Sequence, residues 1–189
     1  MIAWIKQELG TVDILVNNAG MNQRASMIDY TAEEFRHVLD VNLTAPFIVA
    51  KAVLPAMIEK RRGKIINLCS IMSEVGRETV SAYTAAKGGL KMLTKSMASE
   101  YGKYNIQCNG LGPGYIETAM TTVYQEPLPD GTPNPFDAFV RQRTPAGRWG
   151  TVEDMKGPAV FLASQASDYV NGHILYADGG LLSYVGGQG

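Results

Sequence analysis

Short apolar runs alternate along the chain with longer stretches of helical periodicity. The runs at 12–16, 64–69, 106–111 and 173–177 have the length and continuity of buried parallel strands. Between them, apolar residues recur every three to four positions, as they do on one face of a helix. Helices that alternate with apolar strands require crossover connections, so we expect a doubly wound parallel α/β sheet.

The helical stretches carry start and stop signals. Thr31, with Glu34 three residues later, fits a capping box, and Thr151 opens a similar start. Within the helix that begins at Thr31, we expect a break or bend near Pro46 and Pro55, because proline cannot donate the helical hydrogen bond. The predicted helices cover residues 1–9 (stopped by Gly10), 31–57, 81–101 and 151–161.

Residues 112–135 contain too many prolines and glycines for a long helix or strand. A structureless segment of this length is usually a functional loop or lid, which is our expectation here. Elsewhere the chain shows no internal repeat, charge block or Gly/Ser linker. We therefore expect one domain over residues 1–189.

Composition excludes several classes of protein. With 17 basic and 18 acidic residues, the chain has no electrostatic footprint for nucleic acid. No uncharged apolar run approaches the roughly 20 residues of a membrane span, so no membrane association is expected. Two cysteines, Cys69 and Cys108, exclude a disulfide scaffold and fit a reducing cytoplasm. His37 and His173 stand alone, so no metal site is expected.

Polar candidates follow the predicted strands, at the carboxyl edge of the sheet where ligands bind in such folds. Ser70 comes directly after the run 64–69, and Tyr83 and Lys87 are four apart on one face of the next helix. An ammonium near a phenol favours the phenolate and lowers the phenol pKa, which would let Tyr83 exchange protons near neutral pH. The alternatives are a surface helix pair and a serine that merely forms a turn.

Asn42 lies in the middle of the predicted helix 31–57. Asparagine is a poor helix former because its side chain competes for backbone hydrogen bonds. Its position therefore indicates either a solvent-facing residue or one retained for function.

In order, spacing and strand-end context, the chain resembles the short-chain dehydrogenase/reductase family. The residues that carry the resemblance are Asn42, Ser70, Tyr83 and Lys87, with Asn17-Asn18-Ala19-Gly20 and Pro113-Gly114. The resemblance implies a Rossmann-like fold and hydride transfer with NADP or NAD. It further implies that Tyr83 is the catalytic acid/base, Lys87 lowers its pKa and binds the nicotinamide ribose, Ser70 positions the substrate oxygen, and Asn42 holds a water in a proton relay. The implied cofactor contacts are Asn18, Ala19, Gly20, Tyr83, Lys87, Pro113, Gly114, Ile116 and Thr118.

Within that family, the segments 65–70, 73–79, 88–95, 105–110 and 170–173 resemble bacterial gluconate 5-dehydrogenases, which interconvert D-gluconate and 5-keto-D-gluconate. The resemblance implies a small hydroxy or keto sugar acid as substrate and a cytoplasmic homotetramer.

A carboxylate substrate needs a cation, and Arg24 and Arg77 are the candidates beside Ser70 and Tyr83, although either could be a surface arginine. Open alternatives are a reductase for another sugar acid, polyol or ketoacyl group, and an inactive fragment that serves as an oligomerisation module.

The glycine-rich turn that binds the dinucleotide pyrophosphate does not follow the first predicted strand, which ends instead in Asn17-Asn18-Ala19-Gly20. The resemblance therefore implies that an N-terminal βαβαβ half, about 80 residues built of units of 30 or more, is missing. We expect the strand 12–16 to have one unpaired edge. For the isolated polypeptide, we expect weak cofactor binding and self-association.

Overall fold

A computed structural model of the chain describes residues 2–119 and 121–186. Its strands are β1 (Ile14–Asn17), β2 (Gly63–Leu68), β3 (Ile106–Pro113) and β4 (Ile174–Ala177). They form one parallel sheet in the order β1-β2-β3-β4, so each strand pairs with the next one along the chain. The helices are α1 (Ile2–Glu8), α2 (Ala32–Leu39), α3 (Ala45–Lys60), α4 (Ser81–Tyr101), α5 (Pro135–Arg143) and α6 (Val152–Ala163).

Helices cover both faces of the sheet, which confirms the predicted doubly wound architecture. Successive side chains of a strand point to opposite faces, and β2 shows the consequence. Ile65 packs with Met57 of α3 and Met97 of α4 on one face, whereas Ile66 packs with Leu162 of α6 on the other. Both isoleucines are almost fully buried.

The predicted elements agree with the structure at most places. Helix α4 has the expected bounds, and both threonine capping boxes are present, at Thr31 with Glu34 and at Thr151 with Asp154. Gly10 follows α1 with a φ of 87°, a left-handed conformation that favours glycine. Met1, included in the first predicted helix, lies outside the described residues.

Two helical predictions are wrong in detail. The stretch 31–57 is divided by one π-helical turn, Asp40–Thr44, so the break precedes Pro46, and Pro55 lies inside α3. Helix α5 was not expected at all. Its signal is local: the side chain of Asn134 caps the helix and Pro135 occupies its first turn.

The helical segment Ala32–Lys60 is long and apolar enough to cross a membrane by length and composition alone. The prediction that no segment approaches a membrane span was based only on uncharged runs, so it missed this helical segment. Packing accounts for part of its composition, since Val53, Leu54 and Met57 belong to the core cluster that covers one face of the sheet, whereas Phe47 and Ile48 are exposed.

Strand β1 forms one edge of the sheet in the part of the chain that the structure describes, because β2 is its only partner there. Ile14 and Val16 on this strand are 47% and 53% exposed. An exposed apolar edge strand is a template for pairing with another chain.

We therefore expect the 189-residue polypeptide to self-associate through β1, and Ile14→Lys to shift it towards smaller species, because an edge lysine opposes strand pairing. Light scattering coupled to size-exclusion chromatography measures the change. Val185→Lys, at an equally apolar but distant exposed position, is the control. A monomeric wild-type polypeptide, or an Ile14→Lys variant of the same size as the wild type, would contradict the expectation.

Candidate active site

The carboxyl ends of β1, β2 and β3 open on a cavity of about 750 Å³ with mainly apolar walls. Most of the residues singled out from the sequence line this one space. They are Asn18, Gly20, Arg24, Ser70, Arg77, Tyr83, Lys87, Pro113, Gly114, Ile116 and Thr118. Ala19 and Asn42 are not among the lining residues.

Ser70 is held at the end of β2 by a reciprocal cap. It is the N-cap of the short 3-10 turn Ile71–Ser73, where its Oγ accepts a hydrogen bond from Met72 N at 3.1 Å and its own N–H donates to Ser73 Oγ at 3.3 Å. Because Oγ accepts from the backbone, its single proton is directed elsewhere. The oxygen is thus held in place at the cavity wall, and its proton can be donated there.

Tyr83 and Lys87 lie one turn apart on α4, as predicted. The Lys87 Nζ is 5.4 Å from the centroid of the Tyr83 ring and donates to Leu68 O at 2.6 Å. Lys87 is only 2% exposed, so this contact connects a buried charge on α4 to the last residue of β2.

The pKa values differ from the expectation. Burial raises the pKa of Tyr83, and the Ser70 side chain opposes that rise only in part. Burial also lowers the pKa of Lys87 to about 8, because a charged ammonium is unfavourable away from water. The expected lowering of the Tyr83 pKa is therefore wrong in direction for this structure: desolvation by burial is the largest cause of the shift, and the group that opposes it is Ser70 rather than Lys87.

Asn42 occupies the π-helical turn between α2 and α3 and is fully buried. Its Nδ2 donates to Met21 O at 2.8 Å and to Val38 O at 2.9 Å, while Oδ1 accepts from Met21 N at 3.3 Å. The side chain thus fastens the loop after β1, which carries Asn18 and Gly20, to the helical layer. A π turn at such a position is a frequent feature of functional sites.

Arg24 and Arg77 approach the cavity from different loops. The Nε of Arg24, which is exposed, donates to Thr79 Oγ1 at 3.1 Å. Arg77 is half-buried and donates to Tyr115 Oη at 3.2 Å. Two guanidinium groups in one cavity can bind an anion.

The sequence analysis missed the aromatic wall of the cavity. Tyr115, Phe136 and Trp149 contact one another edge to face, with ring centroids 5.6 to 6.0 Å apart, and Tyr124 contacts Phe136. No periodic pattern connects these rings, because they come from the end of β3, a long loop, α5 and the loop before α6. Residues 112–135, expected as a loop or lid, supply part of this wall.

Within residues 2–119 and 121–186, no cluster of three or more His, Cys, Asp or Glu side chains could hold a metal ion. Cys69 and Cys108 are buried free thiols, and burial raises the pKa of both. A thiol with a raised pKa is a poor nucleophile at neutral pH.

Comparisons with known proteins agree with this geometry. A family model described as enoyl-(acyl carrier protein) reductase matches residues 1–182. A 2-dehydro-3-deoxy-D-gluconate 5-dehydrogenase of Formosa agariphila is 50% identical over 98% of this chain and 68% of its own length. The 5-keto-D-gluconate 5-reductase of Escherichia coli K12 is 46% identical over 96% of this chain and 69% of its own length.

A solved structure shows the same architecture. The gluconate 5-dehydrogenase of Burkholderia cenocepacia, in complex with NADP and tartrate, is 44% identical and superposes with a TM-score of 0.91. The match covers 97% of this chain and 70% of that protein. The chain therefore spans about seven tenths of these relatives.

The buried ammonium of Lys87 predicts an unusual pH dependence of stability. Its pKa is about 8 in the folded chain and 10.5 when unperturbed, so between these pH values the unfolded chain binds a proton that the folded chain does not. The free energy of unfolding should therefore rise with pH in this window, by up to about 3 kcal/mol, relative to Lys87→Met.

Urea unfolding of both proteins from pH 7 to 11 measures this difference. Lys156→Met removes a surface lysine paired with Glu153 and serves as the control, which should follow the wild type in parallel. A constant difference between wild type and Lys87→Met would show that Lys87 is not shifted.

Proposed function

Because the chain belongs to the short-chain dehydrogenase/reductase family, we propose that it transfers hydride between a nicotinamide cofactor and a sugar acid, interconverting a hydroxyl and a keto group. The specific reaction we favour is the interconversion of D-gluconate and 5-keto-D-gluconate. The observation that carries the proposal is one cavity lined by Ser70, Tyr83 and Lys87 together with Arg24 and Arg77. Relatives named for gluconate-type substrates support it.

The cavity has features that fit the nicotinamide end of the cofactor. Within the described residues, Leu68 O is the one hydrogen-bond acceptor of the Lys87 ammonium, which leaves donors for ribose hydroxyls. A Cβ at Gly20 would lie 3.0 Å from Asn42 Oδ1 and 3.7 Å from Lys87 Nζ, so glycine keeps this approach open. Asn18, Pro113, Gly114, Ile116 and Thr118 would complete the binding wall. When bound, the nicotinamide accepts or supplies the hydride.

The raised pKa of Tyr83 bears on its role. A phenol whose pKa lies above its ordinary value is protonated at neutral pH, so Tyr83 can give its proton to a keto oxygen during reduction. The Ser70 hydroxyl donates a hydrogen bond to the same oxygen and holds it there. In the oxidative direction the deprotonated form of Tyr83 receives the hydroxyl proton; burial disfavours this phenolate, and the Lys87 ammonium 5.4 Å from the ring favours it.

Asn42 contributes to this scheme through its hydrogen bonds to the loop after β1. Both of its Nδ2 protons are bound to backbone carbonyls, so a water in a proton relay would bind at Oδ1. Its main contribution in our proposal is to hold the loop after β1, which carries Gly20, against Lys87.

We favour NADP as the cofactor, with NAD as the alternative, because a related gluconate 5-dehydrogenase was solved with NADP. We also propose a homo-oligomer in the cytoplasm. Exposed apolar side chains on α3 and α4, namely Phe47, Ile48 and Met92, support an association of these helices with another copy.

Tyr83→Phe tests the assignment of the proton donor. It removes only the phenolic oxygen, so we expect turnover of 5-keto-D-gluconate to fall by about two to four orders of magnitude with the fold unchanged. The loss of reduced-cofactor absorbance measures turnover, and circular dichroism checks the fold. Tyr169→Phe, at a fully exposed tyrosine, is the control.

Unchanged activity of Tyr83→Phe would refute its role. If the wild-type polypeptide neither binds NADPH or NADH at millimolar concentration nor turns over sugar acids, the proposed enzyme function fails for this chain.

A further inference from the structure

Arg77 is enclosed by aromatic rings at the cavity wall. Its guanidinium carbon lies 4.6 Å from the centroid of the Phe136 ring and 5.9 Å from that of Tyr115, and one terminal N–H donates to Tyr115 Oη at 3.2 Å. None of the ion pairs found within residues 2–119 and 121–186 includes Arg77. A half-buried guanidinium thus faces the cavity without a carboxylate partner in that part of the chain.

The rings around Arg77 are themselves held in place. Gly150 N donates to Tyr115 O at 2.8 Å, which fixes the backbone of that residue. Trp149 packs against both rings, is 1% exposed and donates from Nε1 to Asp137 Oδ1 at 2.8 Å. Arg77 therefore rests on a rigid wall, so that little side-chain freedom is lost when it binds a ligand.

The hydrogen bond between Arg77 and Tyr115 sets the direction of a second donor. The phenol oxygen accepts from Arg77, so the single phenolic proton points away from the guanidinium and can be donated to a ligand. A guanidinium N–H and an adjacent O–H match the two oxygens of one carboxylate.

We propose that Arg77 and Tyr115 form the carboxylate-binding subsite of the cavity, and that Phe136 is the positioning residue that orients Arg77. This inference rests on the proposed function, and it makes the subsite the determinant of selection for sugar acids over sugar alcohols. A polyol of the same carbon skeleton leaves both donors without an acceptor, which is costly in a partly desolvated wall.

Arg24 differs in its surroundings. It is exposed, its Nε is bound to Thr79 Oγ1, and its guanidinium carbon lies 6.0 Å from the Tyr124 ring centroid. A solvated charge contributes little to selective binding, although it attracts anions to the cavity. Arg62→Gln, which removes a positive charge from an exposed side chain outside the lining of the cavity, is therefore the matched control for Arg77→Gln.

The chain contains a reporter for binding that needs no turnover. Of its two tryptophans, Trp149 lines the cavity and Trp4 is exposed on α1, so Trp4→Phe leaves emission from Trp149 alone. In this background, tartrate and D-gluconate are titrated at constant salt against D-glucitol, which carries an alcohol where gluconate carries the carboxylate. We expect saturable changes with the acids and much weaker ones with glucitol.

Tyr115→Phe and Phe136→Leu should each weaken binding of the acids about tenfold, and Arg77→Gln by about a hundredfold, as expected for the loss of charge-assisted hydrogen bonds. Binding of glucitol should not change in these variants. Arg62→Gln should alter the affinity for the acids less than threefold. Tyr115→Phe retains the ring, so it tests the donor even if Phe136→Leu disturbs the wall.

Equal affinity for the acids in wild type, Tyr115→Phe and Arg77→Gln overturns the inference, as does a wild type that binds no acid. Turnover distinguishes the two proposals. Acid binding that requires Arg77 and Tyr115, without hydride transfer, retains the subsite and refutes the proposed function. Normal gluconate turnover in Tyr115→Phe and Arg77→Gln retains the function and refutes the subsite.

Discussion

An ammonium group withdrawn from water must find an acceptor, and Lys87 finds one in the carbonyl oxygen of Leu68. That contact joins the middle of α4 to the last residue of β2, two positions before Ser70. Tyr83 is carried one turn earlier on the same helix. A single buried charge therefore sets the spacing between Ser70 at the end of β2 and Tyr83 on α4, the two groups on which the proposed chemistry depends.

A second buried polar chain supports the same layer. Asn17 Nδ2 donates to Asn67 Oδ1, and Asn67 Nδ2 donates to Thr94 Oγ1, each at 2.8 Å. These residues belong to β1, β2 and α4. Their hydrogen bonds therefore connect β1, which precedes the loop that carries Gly20, to the helix that carries Tyr83. Buried polar networks are favourable only when every member is paired, which makes the relative position of these elements specific.

Local patterns in the sequence predicted most of the elements and half of the site. Apolar runs, threonine caps and the four-residue spacing of Tyr83 and Lys87 are short-range signals, and the structure follows them. The direction of the Tyr83 pKa shift was not predictable in this way, because it depends on how deeply the folded chain buries the side chain. The same holds for the wall around Arg77, because tertiary packing brings together rings that lie 13 to 34 residues apart in the chain, at Tyr115, Phe136 and Trp149.

The strands lie in the sheet in the order in which they occur in the chain. Each crossover therefore joins neighbours, and no later strand has to insert between two earlier ones. During synthesis from the N-terminal end, every new strand can add to an edge that already exists, with only one helical connection to close. For these four strands, the sheet can grow in one direction from β1 to β4, and the lining of the cavity is complete only after the last crossover, which carries α5 and α6, has formed.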